Sequence, residues 1–179
     1  MILKLIQEIL EKENFDCSIL PSTESIPLEI LLVSAGLDPN QKEKVIHITA
    51  LPQQMEGVNT NLAQNEKYFR VQFSTTLPFE AIPSSLAQTA SLILFLNQLL
   101  DWPGFELNEL TNTVSYRYAW LTKESNVDSY QILSLIGSLL LSIEMFGDTI
   151  GQIASGRSTF NELLASIVDF GDKINKNNS

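Results

Sequence analysis

Two long stretches of this sequence are almost free of charge, and they limit what the rest of the chain can build. Between Ala81 and Gly104 the only charged residue is Asp101, and between Val127 and Gly156 there are only Asp128, Glu144 and Asp148. A helix with one side in water normally carries charge on that side. The run Leu92-Ile93-Leu94-Phe95-Leu96 is instead apolar around a whole helical turn, and Leu139-Leu140-Leu141 repeats the pattern. The weakly polar stripe of the second stretch is Gln131, Ser134, Ser138 and Ser142, whose small hydroxyls permit close packing against another surface.

Three arrangements shelter such helices. They are sandwiched inside the fold between a sheet and the remaining helices, or one face forms a homodimer or partner interface, or they enclose an apolar ligand cavity. For the interface arrangement the positions are Leu92, Phe95, Leu96, Ser134, Ser138, Leu141 and Ser142.

The stretches Ile82–Leu100 and Ile132–Phe146 fall short of a membrane span. The first is interrupted by Pro83, Gln88, Asn97 and Gln98, and the second is brief and carries serines and Glu144. The start, MILKLIQEILEKE, is apolar but carries Lys4, Glu8, Glu11, Lys12 and Glu13, and it lacks the long apolar core and small-residue cleavage site of a signal peptide. A cytoplasmic protein without membrane insertion is expected. Eleven Lys+Arg against 21 Asp+Glu give a net charge of -10, and the basic residues are scattered. Phosphate backbones and anionic lipids are bound mainly by clustered Lys and Arg, so no nucleic-acid or membrane-surface partner is expected.

Along the chain, Ile2, Leu5, Ile6, Ile9 and Leu10 recur with helical spacing over 2–13, with Asn14 as the stop. Phe15–Leu20, Leu28–Val33 and Val45–Leu51 read as strands. The polar segment from Pro52 to Glu66 reads as a mobile loop. Tyr68–Leu77 alternates, with Phe69, Val71, Phe73, Thr75 and Leu77 on one face. Pro83 suits the first turn of a helix running to about Leu100. Phe105–Leu110 and Val114–Leu121 form a hairpin signal around Thr111-Asn112-Thr113. Ser125 to Asp128 has capping-box spacing and opens a long helix from about Val127 to Phe146, where Gly147 either bends it or lets it run on to Ile153, with Ser155-Gly156 as its end. Thr159 to Glu162 is a second capping box, opening a helix to about Phe170.

Strands that come in runs indicate an α+β fold: helix, antiparallel sheet strands, helix, β-hairpin, long helix, short C-terminal helix. At 179 residues, one domain over 1–172 with a frayed tail at 173–179 is expected.

Chemistry has little to work with. One histidine, His47, and one cysteine, Cys17, leave no zinc set, no intrachain disulfide and no Ser-His or Cys-His arrangement with support. His47 reads as a satisfied strand residue and Cys17 as a packed thiol. Asp101, Glu106 and Glu109 flank a hairpin, where solvated charge is ordinary. No phosphate-loop motif is present, and Gly151 and Gly156 read as helix terminators. The face Tyr116, Tyr118 and Trp120 reads either as core under the helices or, with Arg70 and Arg117, as a platform for gripping a partner peptide. No catalytic residue, cofactor or metal is expected.

The element order, with Leu86–Leu100, Phe105-Glu106-Leu107, Val114–Trp120 and Gln131–Ile153, resembles the type III secretion chaperone-like fold. More specifically it resembles the YbjN-like branch and related bacterial, cyanobacterial-type proteins of unknown function. The likeness lies in element order and hydrophobic pattern rather than in a diagnostic motif. It implies a non-catalytic, often dimeric protein that binds other polypeptides on its sheet and first helix. The chain departs from the compact pattern by the loop around Met55–Glu66 and the helix after Gly156. The expectation is a chaperone-like or adaptor module acting as a homodimer, with an apolar-ligand carrier or sensor as the alternative.

Overall fold

The computed structural model describes residues 2–37, 43–53, 67–102 and 104–177, with side chains through 169. Most of the segment expected to be a mobile loop, from residue 54 to 66, lies outside the described residues. The fold is α+β: a six-stranded antiparallel sheet with four helices. In chain order the elements are α1 (Ile2–Lys12), β1 (Cys17–Leu20), β2 (Ile30–Leu37), β3 (Glu43–Gln53) and β4 (Tyr68–Glu80). There follow α2 (Leu86–Leu99), β5 (Phe105–Asn108), β6 (Thr113–Lys123), α3 (Ser129–Ala154) and α4 (Phe160–Asn177).

Sheet order is β1-β2-β3-β4-β6-β5. The chain leaves β4 through α2, lays β5 on the edge and returns by the hairpin to seat β6 beside β4. Contacts divide the chain into two compact units. One holds Met1–Thr76 and Tyr116–Leu141, the other Leu77–Ser115 and Ser142–Ser179.

In the first unit α1 packs on β1, β2 and β3. Its buried stripe is Ile2, Leu3, Ile6 and Leu10. The helix ends in a Schellman motif: Asn14 takes the left-handed conformation (φ 64°), and the Phe15 and Asn14 N–H groups donate to the Leu10 and Glu11 carbonyls. Strand register places Leu31 opposite Ile48 and Ile48 opposite Phe73, and all three are buried. Each such side chain contributes roughly 1.5–3 kcal/mol of burial. Val33 and Ile46 extend that row. The register shifts between Ser34 and Leu37, where Gly36 (φ 80°) accommodates the bulge in a conformation a side chain would resist.

In the second unit α2 packs on β5 and α4. Asn97 ties the end of α2 to the start of β5. Its Nδ2 donates to the Phe105 carbonyl at 2.9 Å, and its Oδ1 accepts from the Phe105 N–H at 3.1 Å. Gln88 Oε1 accepts from the Phe160 N–H at 3.0 Å, and the Phe95 and Phe160 rings lie 5.7 Å apart. The Thr159–Glu162 box closes reciprocally: the Thr159 N–H donates to the Glu162 carboxylate at 2.8 Å and the Glu162 N–H to Thr159 Oγ1 at 3.2 Å. These bonds hold the Glu162 carboxyl below its ordinary pKa.

Several boundaries differ from the sequence reading. The first residues after β6, Glu124–Asn126, form a 3₁₀ turn, and the cap of α3 is Asp128, whose Oδ1 accepts from the Gln131 N–H at 3.1 Å. Ser125 bonds Asn126 instead. Gly151 does not end a helix. It lies inside α3, where an added Cβ would come 3.2 Å from the Phe79 ring. Gly156 (φ 72°) is the terminator, in a second Schellman motif with the Arg157 N–H on the Gln152 carbonyl. α4 runs on to Asn177, so residues 173–177 of the tail expected to fray are helical.

Candidate functional site

The first-unit part of α3 buries Ile132, Leu135, Ile136 and Leu139. Tyr130, Gly137 and Leu141 lie on the other side of the same helix, with Tyr130 80% and Leu141 59% exposed. Ser134 and Ser138 flank them half-buried. No charged residue falls between Ser129 and Ile143, so this side meets solvent without ionic groups, Gln131 being its one exposed amide. Charge reappears in the second unit at Glu144 and Asp148, beside exposed Met145.

α3 spans 26 residues, with an 18-residue window of mean hydropathy 1.5, of which 28% is buried. By length and composition alone it is therefore long enough to cross a membrane. That corrects the expectation that this stretch is too brief. Gly147 and Gly151 do not interrupt the helix, so it extends well beyond the apolar stretch Ile132–Phe146.

Of the seven interface positions read from the sequence, three lie in the first unit and four in the second. Leu92 and Leu96 are buried in the second unit, and Ser142 is buried as well. Phe95 is half-buried against Phe160. Only Leu141 is fully open, with Ser134 and Ser138 beside it. The α2 side that does face solvent carries Leu94 and Leu99.

The proposed aromatic platform also divides. Tyr116 is fully buried, and Tyr118 and Trp120 are half-buried on the same side of β6. Arg117 alternates to the opposite, exposed side, and Arg70 is exposed on β4 between inward-facing Phe69 and Val71. The aromatics thus belong to the covered face and the arginines to the open one, because side chains alternate along a strand.

His47 is exposed rather than buried, paired across the sheet with Leu32 and Ser74. The Cys17 thiol is pushed up to about 11, first by partial burial and then by the Glu11 and Asp16 charges, so it stays protonated near neutrality. Asp101 and Glu109 are exposed and Glu106 is half-buried on β5. Among the described residues no three of His, Cys, Asp and Glu gather closely enough to hold a metal ion.

One cavity of about 250 Å³ lies in the first unit. It is lined by Ile2 and Leu3 of α1, Pro27 and Leu28, Leu51 of β3 and Phe69 of β4, with Glu29 at its wall. Neither this cavity nor the importance of Asn97 and Gln88 was legible locally, since the groups they join are remote in sequence. No family model, curated protein or solved structure matches the chain.

Proposed function

We propose that this chain is a non-catalytic protein-binding module, chaperone-like or adaptor in character, that works in the cytoplasm as a homodimer. It acts without membrane insertion or nucleic acid. The observation that carries the reading is the uncharged outer side of α3, with Tyr130 and Leu141 in water. Such a stripe loses little polar hydration when covered, and opposing it with its own copy brings no like charges together.

Light scattering at micromolar concentration tests the dimer. The expected mass is twice the 20.0 kDa of the chain. Leu141→Glu should return it to the single-chain mass with an unchanged far-UV CD spectrum, and a wild-type protein of single-chain mass removes the dimer.

A carrier of small apolar molecules is the second reading, supported by the 250 Å³ cavity to which Ile2, Leu3 and Phe69 contribute. Native mass spectrometry of freshly prepared protein would then show added mass, and a clean chain mass counts against it.

A further inference from the structure

The cavity of the first unit sets apolar side chains against one carboxylate. Leu3 of α1, Leu28 ahead of β2, Leu51 of β3 and Phe69 of β4 meet there with two polar residues, Ser22 and Glu29. Both polar residues belong to the segment 21–29 that joins β1 to β2. A turn ties that segment: the Thr23 N–H donates to the Ile26 carbonyl at 2.8 Å, and the Ile26 N–H donates to Thr23 Oγ1 at 3.1 Å. At its far end Ile30 enters the sheet, opposite Leu20 on one side and Thr49 on the other. Glu29, one residue ahead of that ladder, is therefore held at the cavity wall by a fixed strand end.

Glu29 is the single ionisable side chain among the described residues that line the cavity. It is exposed and makes no hydrogen bond or ion pair among the described residues. Lys4 and Arg70, each next in sequence to a lining residue, are exposed and are not part of that lining. A carboxylate at the edge of such a recess attracts a cation and repels an anion. The net charge of -10 acts in the same sense at longer range.

We infer that this cavity takes a small organic cation, a protonated amine whose ammonium meets Glu29 and whose apolar body lies against Leu28 and Phe69. The inference rests on the carrier reading above and names the charge its ligand bears. A few placed polar groups among apolar ones are the usual means by which a pocket orients a ligand. Pockets for drug-sized molecules span roughly 300–1,000 Å³. A space of about 250 Å³ suits something smaller, a single ring or a short chain carrying the amine. Water reaches Glu29, so the charge preference is modest and is screened by salt.

The test uses the full chain and three probes of similar shape: 2-phenylethylamine, 2-phenylethanol and 3-phenylpropionate. Each is titrated at millimolar concentration while amide NMR shifts are followed. The amine should bind about 10-fold tighter than the carboxylate and about 3-fold tighter than the alcohol, with the preference shrinking as salt is raised. The shifts should centre on Leu28, Glu29 and Phe69. Glu29→Gln should weaken the amine about 3-fold and leave the alcohol unchanged. Glu24→Gln, on the same segment but outside the lining, should leave both unchanged, with far-UV CD confirming that the two variants are folded. Equal binding of amine and carboxylate, or an amine indifferent to Glu29→Gln, overturns the inference. So do shifts centred elsewhere, and so does an equal loss in Glu24→Gln, which assigns the effect to surface charge in general. Alcohol binding without any preference for the amine sinks this inference alone and leaves the carrier reading standing. Failure of all three probes to bind sinks both.

Discussion

Helices α1 and α3 solve the same problem in opposite ways. Both bury a regular apolar stripe: Ile2, Leu3, Ile6 and Leu10 in one, Ile132, Leu135, Ile136 and Leu139 in the other. Outside, α1 carries Lys4, Glu8, Glu11 and Lys12, with a Gln7–Glu11 side-chain bond at 2.8 Å. α3 carries Tyr130, Gly137 and Leu141 in the corresponding place. The buried sides are interchangeable in kind, so packing energy does not separate the two helices. What separates them is the cost of wetting the outer side, which is small for α1 and substantial for α3.

The comparison breaks first if the buried sides are unequal. Ile6→Ala and Ile136→Ala should each lower unfolding free energy by about 2–5 kcal/mol in urea titrations. A loss confined to one helix would show that the other is not anchored by its stripe.

A finer cut runs along α3 itself. Gly151→Val should cost about 1–3 kcal/mol, because its Cβ would crowd the Phe79 ring at 3.2 Å. Gly137→Ala should instead stabilise by up to about 1 kcal/mol, since nothing lies within 4 Å of the added methyl and alanine favours helix. Thermal unfolding of the two variants should therefore shift in opposite directions, and a shared direction would contradict this account of the helix.

Capping sharpens the contrast at the smallest scale. Thr159→Ala should destabilise by about 1 kcal/mol through loss of the cap. The Glu162 carboxyl is lowered by its bonds to Thr159 and Ser158, so its contribution is present above the unfolded pKa and disappears as pH falls through the folded value. Stability measured on acidification below about 4.5, the ordinary carboxyl value, should fall less steeply in Thr159→Ala than in the parent. An NMR titration should show the Glu162 pKa rising in that variant.

Much of the fold was written in local pattern. The stripe of α1, the alternation of β4 and β6, the Thr159–Glu162 box and the stops at Asn14 and Gly156 each depend on residues within one or two turns. The sequence reading starts α3 near Val127, two residues early, because Ser125 and Asp128 are both competent caps. The choice fell to Asp128 when the preceding residues closed a 3₁₀ turn. Gly151 was read as a stop because glycine favours helix ends, whereas here the absent side chain makes room for Phe79 from β4.

Sequence by itself determined which residues are apolar, how they are spaced, and that two helices are nearly free of charge, since periodicity and composition are properties of the chain. Tertiary structure alone decided which of those apolar groups stay in water. Leu92 and Leu141 are chemically alike, but one is shut beneath its neighbours and the other is 59% exposed. Burial depends on partners brought from distant segments, and no local pattern records where they will come to rest.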